Sequence, residues 1–510
     1  LTGTFATKDY NLSQVVLFGD SGHLTTSRPL AIYTLASSLR SHGVTCQTVW
    51  AWNFISDETF EEICNKFLST ETLIVGISTT LLNKNFTVEE NFWGVTVEVA
   101  KQRFNLIKRL APNAQIIAGG SQLAEIPVHR IPCIKYIDLF VTGEGESSLL
   151  SIVRAKQENQ RVNTVQIGPS ITSQDLYPYE DFSTTSVNRD QADCILPGES
   201  LVSEFSRGCI FRCSFCSYPL KGKNKSDFNK SVAALVSELK HNYDQFGTTH
   251  YYIADDLLND SETKVDRILA VSEQLPFRLS YTGFVRLDMI RRFPTMAIKF
   301  KQSGLIGCFM GIETIDEHSG RSVGKGLGVS RINEGLSILQ EHWNGEIIIE
   351  SGFILGLPHD TPDTKFKLLE WLQQPLVRNT IRHPVVTSLN INSYRKLSEI
   401  DKDPASFGYE ISPETKNWST STYNQNHART DAKWLSDQYY NDRKFNIPGN
   451  RVDVFTLPYL LSITDCREEI LNLMLNDRSS MFDNDQEWKT WTAQQCRQHR
   501  TQYINKLLER

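Results

Sequence analysis

The chain has 510 residues, 40% of them hydrophobic, and a formal net charge of −6 from 53 basic and 59 acidic side chains. This is enough for about three domains with packed cores, and the mild acidity gives no electrostatic reason to expect a nucleic-acid partner. Mean hydropathy is −0.32, and apolar runs such as Leu73–Ser78 fall far short of the roughly 20 residues a membrane helix needs, so no membrane span is expected. The ten cysteines do not form a disulfide scaffold, and the N-terminus lacks a basic region followed by an apolar core. The expected compartment is therefore the reducing cytoplasm.

Residues 1–157 alternate short apolar runs with amphipathic stretches. Strands are predicted at Val15–Gly19, Val44–Trp50, Leu73–Ser78, Gln115–Ala118 and Ile137–Val141, and helices at Pro29–His42, Glu58–Leu68 and Val95–Leu110. Continuous apolar strands separated by helices describe an α/β, doubly wound, Rossmann-like domain. In such sheets a ligand binds beyond the carboxyl ends of the strands, and here those ends are small and flexible. They carry Ser78 and Thr79, then Gly119, Gly120 and Ser121, then Gly143 and Glu144; glycine there lets a ligand approach the backbone closely.

The set Leu73–Ser78, Ile116–Ser121 and Asp138–Glu146 resembles the cobalamin-binding domain that precedes the barrel in B12-dependent radical S-adenosylmethionine (SAM) enzymes. The resemblance implies that Ser78, Thr79, Gly119, Gly120, Ser121, Gly143 and Glu144 contact cobalamin. Methionine synthase and the mutases carry DxHxxG after the first strand, whereas this chain has Asp20-Ser-Gly-His23. That pattern supplies no lower cobalt ligand, as is general among B12-dependent radical SAM enzymes, and His23 reads as a loop histidine.

Residues 158–198 turn polar and proline-bearing, with no clear periodicity, and read as a linker laid over the surface. Alternation then resumes over residues 199–395, with strands at Leu201–Ser206, His250–Ala254, Arg278–Val285, Ile306–Gly311, Ile347–Leu355 and Val385–Ile391. Six such strands predict a partial (β/α)6 barrel whose chemistry lies at the carboxyl strand ends.

The first of those ends carries Cys209, Cys213 and Cys216 in the order CxxxCxxC, with Phe215 before the last. Three thiolates on a four-iron cluster leave one iron open to a ligand other than protein. A structural zinc site is the alternative, with Cys194 as a fourth thiolate. The following strand ends bring Asp255 and Asp256, Arg286, Glu313, and Gly356 in Gly-Leu-Pro. A zinc ribbon does not call for such convergent polar groups.

The cysteine spacing resembles the radical SAM signature. The resemblance implies that Cys209, Cys213 and Cys216 hold a [4Fe–4S] cluster whose open iron chelates SAM. It puts Asp255 or Asp256 at the SAM amino group, Arg286 opposite the SAM carboxylate, Glu313 at a ribose hydroxyl or the cobalamin, and Gly356 along the adenine. With cobalamin, this implies methylation of an unactivated carbon or phosphorus centre in a small-molecule or peptide substrate. A one-electron donor such as flavodoxin or ferredoxin is also implied. Rearrangement, cyclisation or oxidation without methyl transfer uses the same parts, and a non-catalytic iron–sulfur or zinc protein is the reading from another class.

Residues 396–510 are polar, aromatic and mainly helical. They read either as a cap that shapes the substrate pocket or as helices that stabilise the barrel. The cation-rich tail Trp488–Arg510 reads as a solvated helix face.

Overall fold

The protein is described here from a computed structural model, over residues 13–19, 27–79, 94–120, 131–141, 144–160, 182–217, 228–391, 398–441, 453–476 and 478–510. Asp20–His23, Ser121 and Gly143 lie outside these residues. Two compact units emerge, one of residues 1–197, 244–246 and 498–510, the other of residues 198–243 and 247–497.

In the first unit the strands β1 (Val15–Gly19), β2 (Cys46–Trp50), β3 (Ile74–Ser78), β4 (Gln115–Gly119) and β5 (Leu139–Val141) form one parallel sheet in the order β2-β1-β3-β4-β5. Every residue of β1, β2 and β3 is buried, which is why these strands appear in the sequence as continuous apolar runs. The connecting helices begin at side-chain caps: the Ser56 hydroxyl accepts from the Thr59 N–H, and Thr96 accepts from Val99. Each cap satisfies one donor the first helical turn leaves unpaired. The strand order reverses between β1 and β3, and this switch point opens the crevice where doubly wound sheets bind ligands.

Two readings of polar segments are corrected in this unit. Residues 182–197 are not spread over the surface. Asp193 is fully buried and accepts from Arg40 at 2.8 and 2.9 Å and from the Thr48 hydroxyl at 2.7 Å. The buried Arg28 donates to the carbonyls of Asp193 and Cys194. The C-terminal tail is not a solvated face either. Tyr503 is buried and its hydroxyl accepts from the Trp50 N–H, Arg500 lies over Phe54, and Lys506 donates to the Ile195 carbonyl. Long basic side chains cover apolar surface with their stems, so composition alone mistakes them for solvent-facing groups.

In the second unit β6 (Leu201–Ser203), β7 (His250–Ile253), β8 (Ser280–Val285), β9 (Leu305–Glu313), β10 (Ile348–Leu355) and β11 (His383–Ser388) form one sheet, parallel throughout and in chain order. Tyr251, Tyr281, Cys308 and Met310 are buried on one face of the sheet. On the other, Tyr252, Phe284 and Phe309 gather around Phe455, with ring centroids 5.2, 4.9 and 5.8 Å away. The segment bearing Phe455 is pinned by Glu350 of β10, which accepts from the Val454 N–H at 3.0 Å. The aromatic residues of the C-terminal region act as core. Tyr409, Trp418, Tyr423, Tyr439 and Tyr440 are buried, and the Trp418 indole, Tyr439 and Tyr440 donate to the carbonyls of Leu389, Ile381 and Pro384. Among the described residues no helix is long and apolar enough to cross a membrane.

Burial, reinforced by the charge of Asp453, pushes the Glu350 carboxyl up from 4.5 to about 8. The folded chain therefore holds a proton that the unfolded chain releases. This contribution to stability is complete below pH 4.5 and is lost as pH rises towards 8. The thermal midpoint of the wild type should fall across that window. Glu350→Gln should flatten the fall, as read by scanning calorimetry at stepped pH.

Candidate active site

The loop after β6 is held from below by buried ions. Asp255 Oδ1 accepts from the N–H groups of Phe205 and Ser206 at 2.7 and 2.9 Å, and Oδ2 accepts from the Ser206 hydroxyl at 2.7 Å. Lys264 pairs with the same carboxylate at 2.9 Å and donates to the Ser206 hydroxyl and the Leu257 carbonyl. A second buried pair, Lys230 with Glu238 at 2.7 Å, takes the Ser203 hydroxyl at the end of β6.

Above this base, the Cys216 N–H donates to the Cys213 carbonyl at 3.0 Å, which turns the loop. Ser214 donates to the Val323 carbonyl at 3.1 Å and accepts at its own carbonyl from the Ile400 N–H. Cys213 is buried, Cys209, Phe215 and Cys216 are half-buried, and none of the three cysteines is disulfide-bonded. Burial pushes the Cys209 thiol up to about 11, with Asp256 adding to the shift. Among the described residues no three His, Cys, Asp or Glu side chains stand close enough to share a single metal ion, which thiolates that each bind a different iron of a cluster do not need to do. The buried Cys194 thiol is engaged with the Ala192 carbonyl at 3.8 Å.

The strand-end residues separate into those that build the loop and those that face it. Asp255 is a builder. It is fully buried and both its oxygens are occupied, so the expectation that it reaches a ligand is corrected, whereas Asp256 is half-buried and its charge raises the Cys209 pKa. Arg286 also differs from expectation. Its Nε and Nη2 donate to Asp288 at 2.9 and 2.7 Å, and Nη1 lies 3.4 Å from Cys213 Sγ, so the fork expected to meet a carboxylate of SAM is occupied. Burial opposes the arginine charge, but Asp288 more than offsets it and holds the pKa above its ordinary value.

Glu313 ends β9 with a φ of +70°, an uncommon conformation for a side-chain-bearing residue and one that marks local strain. Its carboxylate lies 3.6 Å from Lys325 Nζ, which donates to the Gly311 carbonyl at 2.7 Å. Burial raises the Glu313 pKa, and Lys325 opposes the rise. Gly356, expected along an adenine, lies under the C-terminal region instead. Its φ is +91°, a side-chain carbon there would overlap the Trp418 ring, and its carbonyl accepts from the Tyr409 hydroxyl at 2.7 Å. Lys264 and Lys325 carry no signal in the sequence, whereas Asp288 belongs to the polar strand end Arg286-Leu-Asp288 that the sequence shows.

In the first unit, Ser78 and Thr79 end β3 beside Gly119 and Gly120 at the end of β4. Thr79 is fully buried, and among the described residues its hydroxyl has no hydrogen-bond partner. Gly120 has a φ of +127°, and a Cβ there would stand 2.8 Å from that hydroxyl. The backbone is thus shaped to leave room beside a buried, unused polar group. Glu144 is half-buried at the start of the helix that follows β5.

Residues 203–372 match the Radical SAM superfamily, a span that includes the cysteine loop and β7 to β10. An uncharacterized methyltransferase of Pyrococcus horikoshii is 24% identical over 358 residues, covering 66% of this chain and 71% of the relative. The structure of the radical SAM methyltransferase TsrM from Kitasatospora setae, with cobalamin and a [4Fe–4S] cluster bound, matches 79% of this chain and 77% of its own. The TM-score is 0.57 at 16% identity. The cobalamin-dependent radical SAM enzyme OxsB, with aqua-cobalamin and SAM bound, matches 98% of this chain and 80% of its own, with a TM-score of 0.58 at 14% identity. Residues 203–372 of the second unit form a radical SAM domain. With its doubly wound first unit, the chain has a fold similar to those of TsrM and OxsB.

Lys264→Met leaves the Asp255 carboxylate buried without its cation. It should destabilise the protein by about 3–5 kcal/mol, seen as a lower midpoint in chemical denaturation. Replacing the more exposed Lys299, paired with Asp266, should change it by less than about 1 kcal/mol.

Proposed function

We propose that this protein is a radical SAM enzyme that uses a [4Fe–4S] cluster, SAM and cobalamin to methylate an unactivated carbon or phosphorus centre. The observation that carries the reading is the CxxxCxxC loop, free of disulfides and anchored by Asp255 and Lys264 within the radical SAM domain. The cluster supplies an electron for the reductive cleavage of SAM, and cobalamin supplies a methyl-carrying cobalt.

Cys209, Cys213 and Cys216 would hold the cluster, with the half-buried Phe215 beside them in the loop. Asp256, half-buried beside Cys209, accepts the SAM amino group, the task left to it because Asp255 is spent on the loop. Glu313, held by Lys325, receives a ribose hydroxyl. In the first unit the donor set also fits its cofactor. The Thr79 hydroxyl lacks a described partner and Gly120 leaves the space beside it open, which suits a polar edge of cobalamin lying against Ser78, Thr79, Gly119 and Gly120. The names of the Pyrococcus relative and of TsrM support methyl transfer over the other outcomes. A low-potential protein of the flavodoxin or ferredoxin class supplies the electron.

Anaerobic reconstitution with iron, sulfide and hydroxocobalamin, followed by desalting, should leave about four irons and about one cobalamin per chain. Cys213→Ala should lose the cluster absorption and SAM cleavage while keeping cobalamin. Retention of iron with loss of all cobalamin would count against methyl transfer and favour simple hydrogen abstraction.

A further inference from the structure

Arg286 is fixed by its own chain. Its N–H donates to Asn259 Oδ1 at 2.8 Å and its carbonyl accepts from Asn259 Nδ2 at 2.9 Å, with Asn259 fully buried. The guanidinium lies 3.8 Å over the ring of Phe211, which sits between Cys209 and Cys213 in the loop. Two of its nitrogens are bonded to both oxygens of Asp288. An arginine that clamps a ligand carboxylate presents its two-pronged edge to that ligand. Here Asp288 fills that edge, and Nη1 is directed at Cys213 Sγ, 3.4 Å away.

We infer that Arg286 is a positioning residue for the iron–sulfur cluster, donating a charged hydrogen bond to the Cys213 thiolate and raising the cluster's reduction potential. The inference rests on the cluster reading above. Reduction adds negative charge to a cluster, and hydrogen bonds to its sulfurs together with local charge are among the levers that set its potential. Asp288 balances the guanidinium from the opposite edge, so the pair turns its positive end towards the sulfur. Phe211 closes one face of the guanidinium, which keeps the N–H from turning away.

Wild type, Arg286→Met and Arg286→Lys should be reconstituted anaerobically with iron and sulfide, and iron quantified in each. Reduction potentials should then be read by EPR-monitored redox titration, and SAM affinity by equilibrium dialysis on the same samples. The Met variant should shift the potential to more negative values. The Lys variant, whose ammonium cannot hold both Asp288 oxygens and Cys213 together, should shift it the same way by less. SAM affinity should change by less than about threefold in both. Unchanged potentials with SAM binding weakened by about tenfold or more would overturn the inference and return Arg286 to the SAM carboxylate. Should the Met variant hold no cluster, the Lys variant decides. A wild type that assembles no cluster sinks the proposed function and this inference together, whereas a cluster whose potential ignores Arg286 sinks this inference alone.

Discussion

The second unit depends on one buried ion pair, Asp255 with Lys264 at 2.9 Å. The carboxylate takes two backbone N–H groups and a hydroxyl from the start of the cysteine loop, and the lysine ties the same serine to the chain after β7. A buried pair of this kind adds little net stability compared with a well-packed apolar replacement, and is better understood as a device that selects one arrangement of the backbone. Here that arrangement is the path of the loop bearing Cys209, Cys213 and Cys216. A loop that must hold a cofactor at defined points cannot rely on apolar packing alone, because apolar contacts tolerate small slips and directed hydrogen bonds do not.

A second layer of fixed charge stands above the first. Asp288 orients Arg286 towards Cys213, and Lys325 ties Glu313 to the carbonyl of Gly311. Asp255, Arg286 and Glu313 are thus each braced by an opposite charge from the same chain. Bracing lowers the cost of organising the site when a ligand binds, since the groups do not have to give up rotamer freedom at that moment. The first unit prepares its site differently. Its β3 and β4 ends carry few charges, and room is made by backbone shape: the left-handed Gly120 next to the buried Thr79 hydroxyl.

The sheets were legible in the sequence because strands of a parallel sheet covered by helices are continuous apolar runs, and that pattern is local. All eleven strands of the two parallel sheets were anticipated, with ends shifted by a few residues. The cysteine spacing and the polar character of the strand ends were legible for the same reason, since both are properties of short segments. The partners were not. Asp255 and Asp256 are adjacent and chemically identical, yet one is fully buried under Lys264 and the other is half-exposed. Both lie in the turn after β7, where no periodicity fixes the direction of a side chain and no local pattern tells which side holds the lysine. Arg40 and Asp193 are separated by most of the first unit, and Gly356 and Trp418 by the whole of β11.

By itself, the sequence determined the class of the two sheets, the place of the cysteine loop at the end of a barrel strand, and the chemistry three thiols at that spacing can support. Hydrophobic periodicity and ligand spacing are written into consecutive residues. Only the tertiary structure decided which charged groups are spent on holding the loop and which face the site. It also buried residues 192–195 of a polar linker and part of a basic tail, because those outcomes depend on contacts between residues far apart in the chain, and burial is a property of the folded whole.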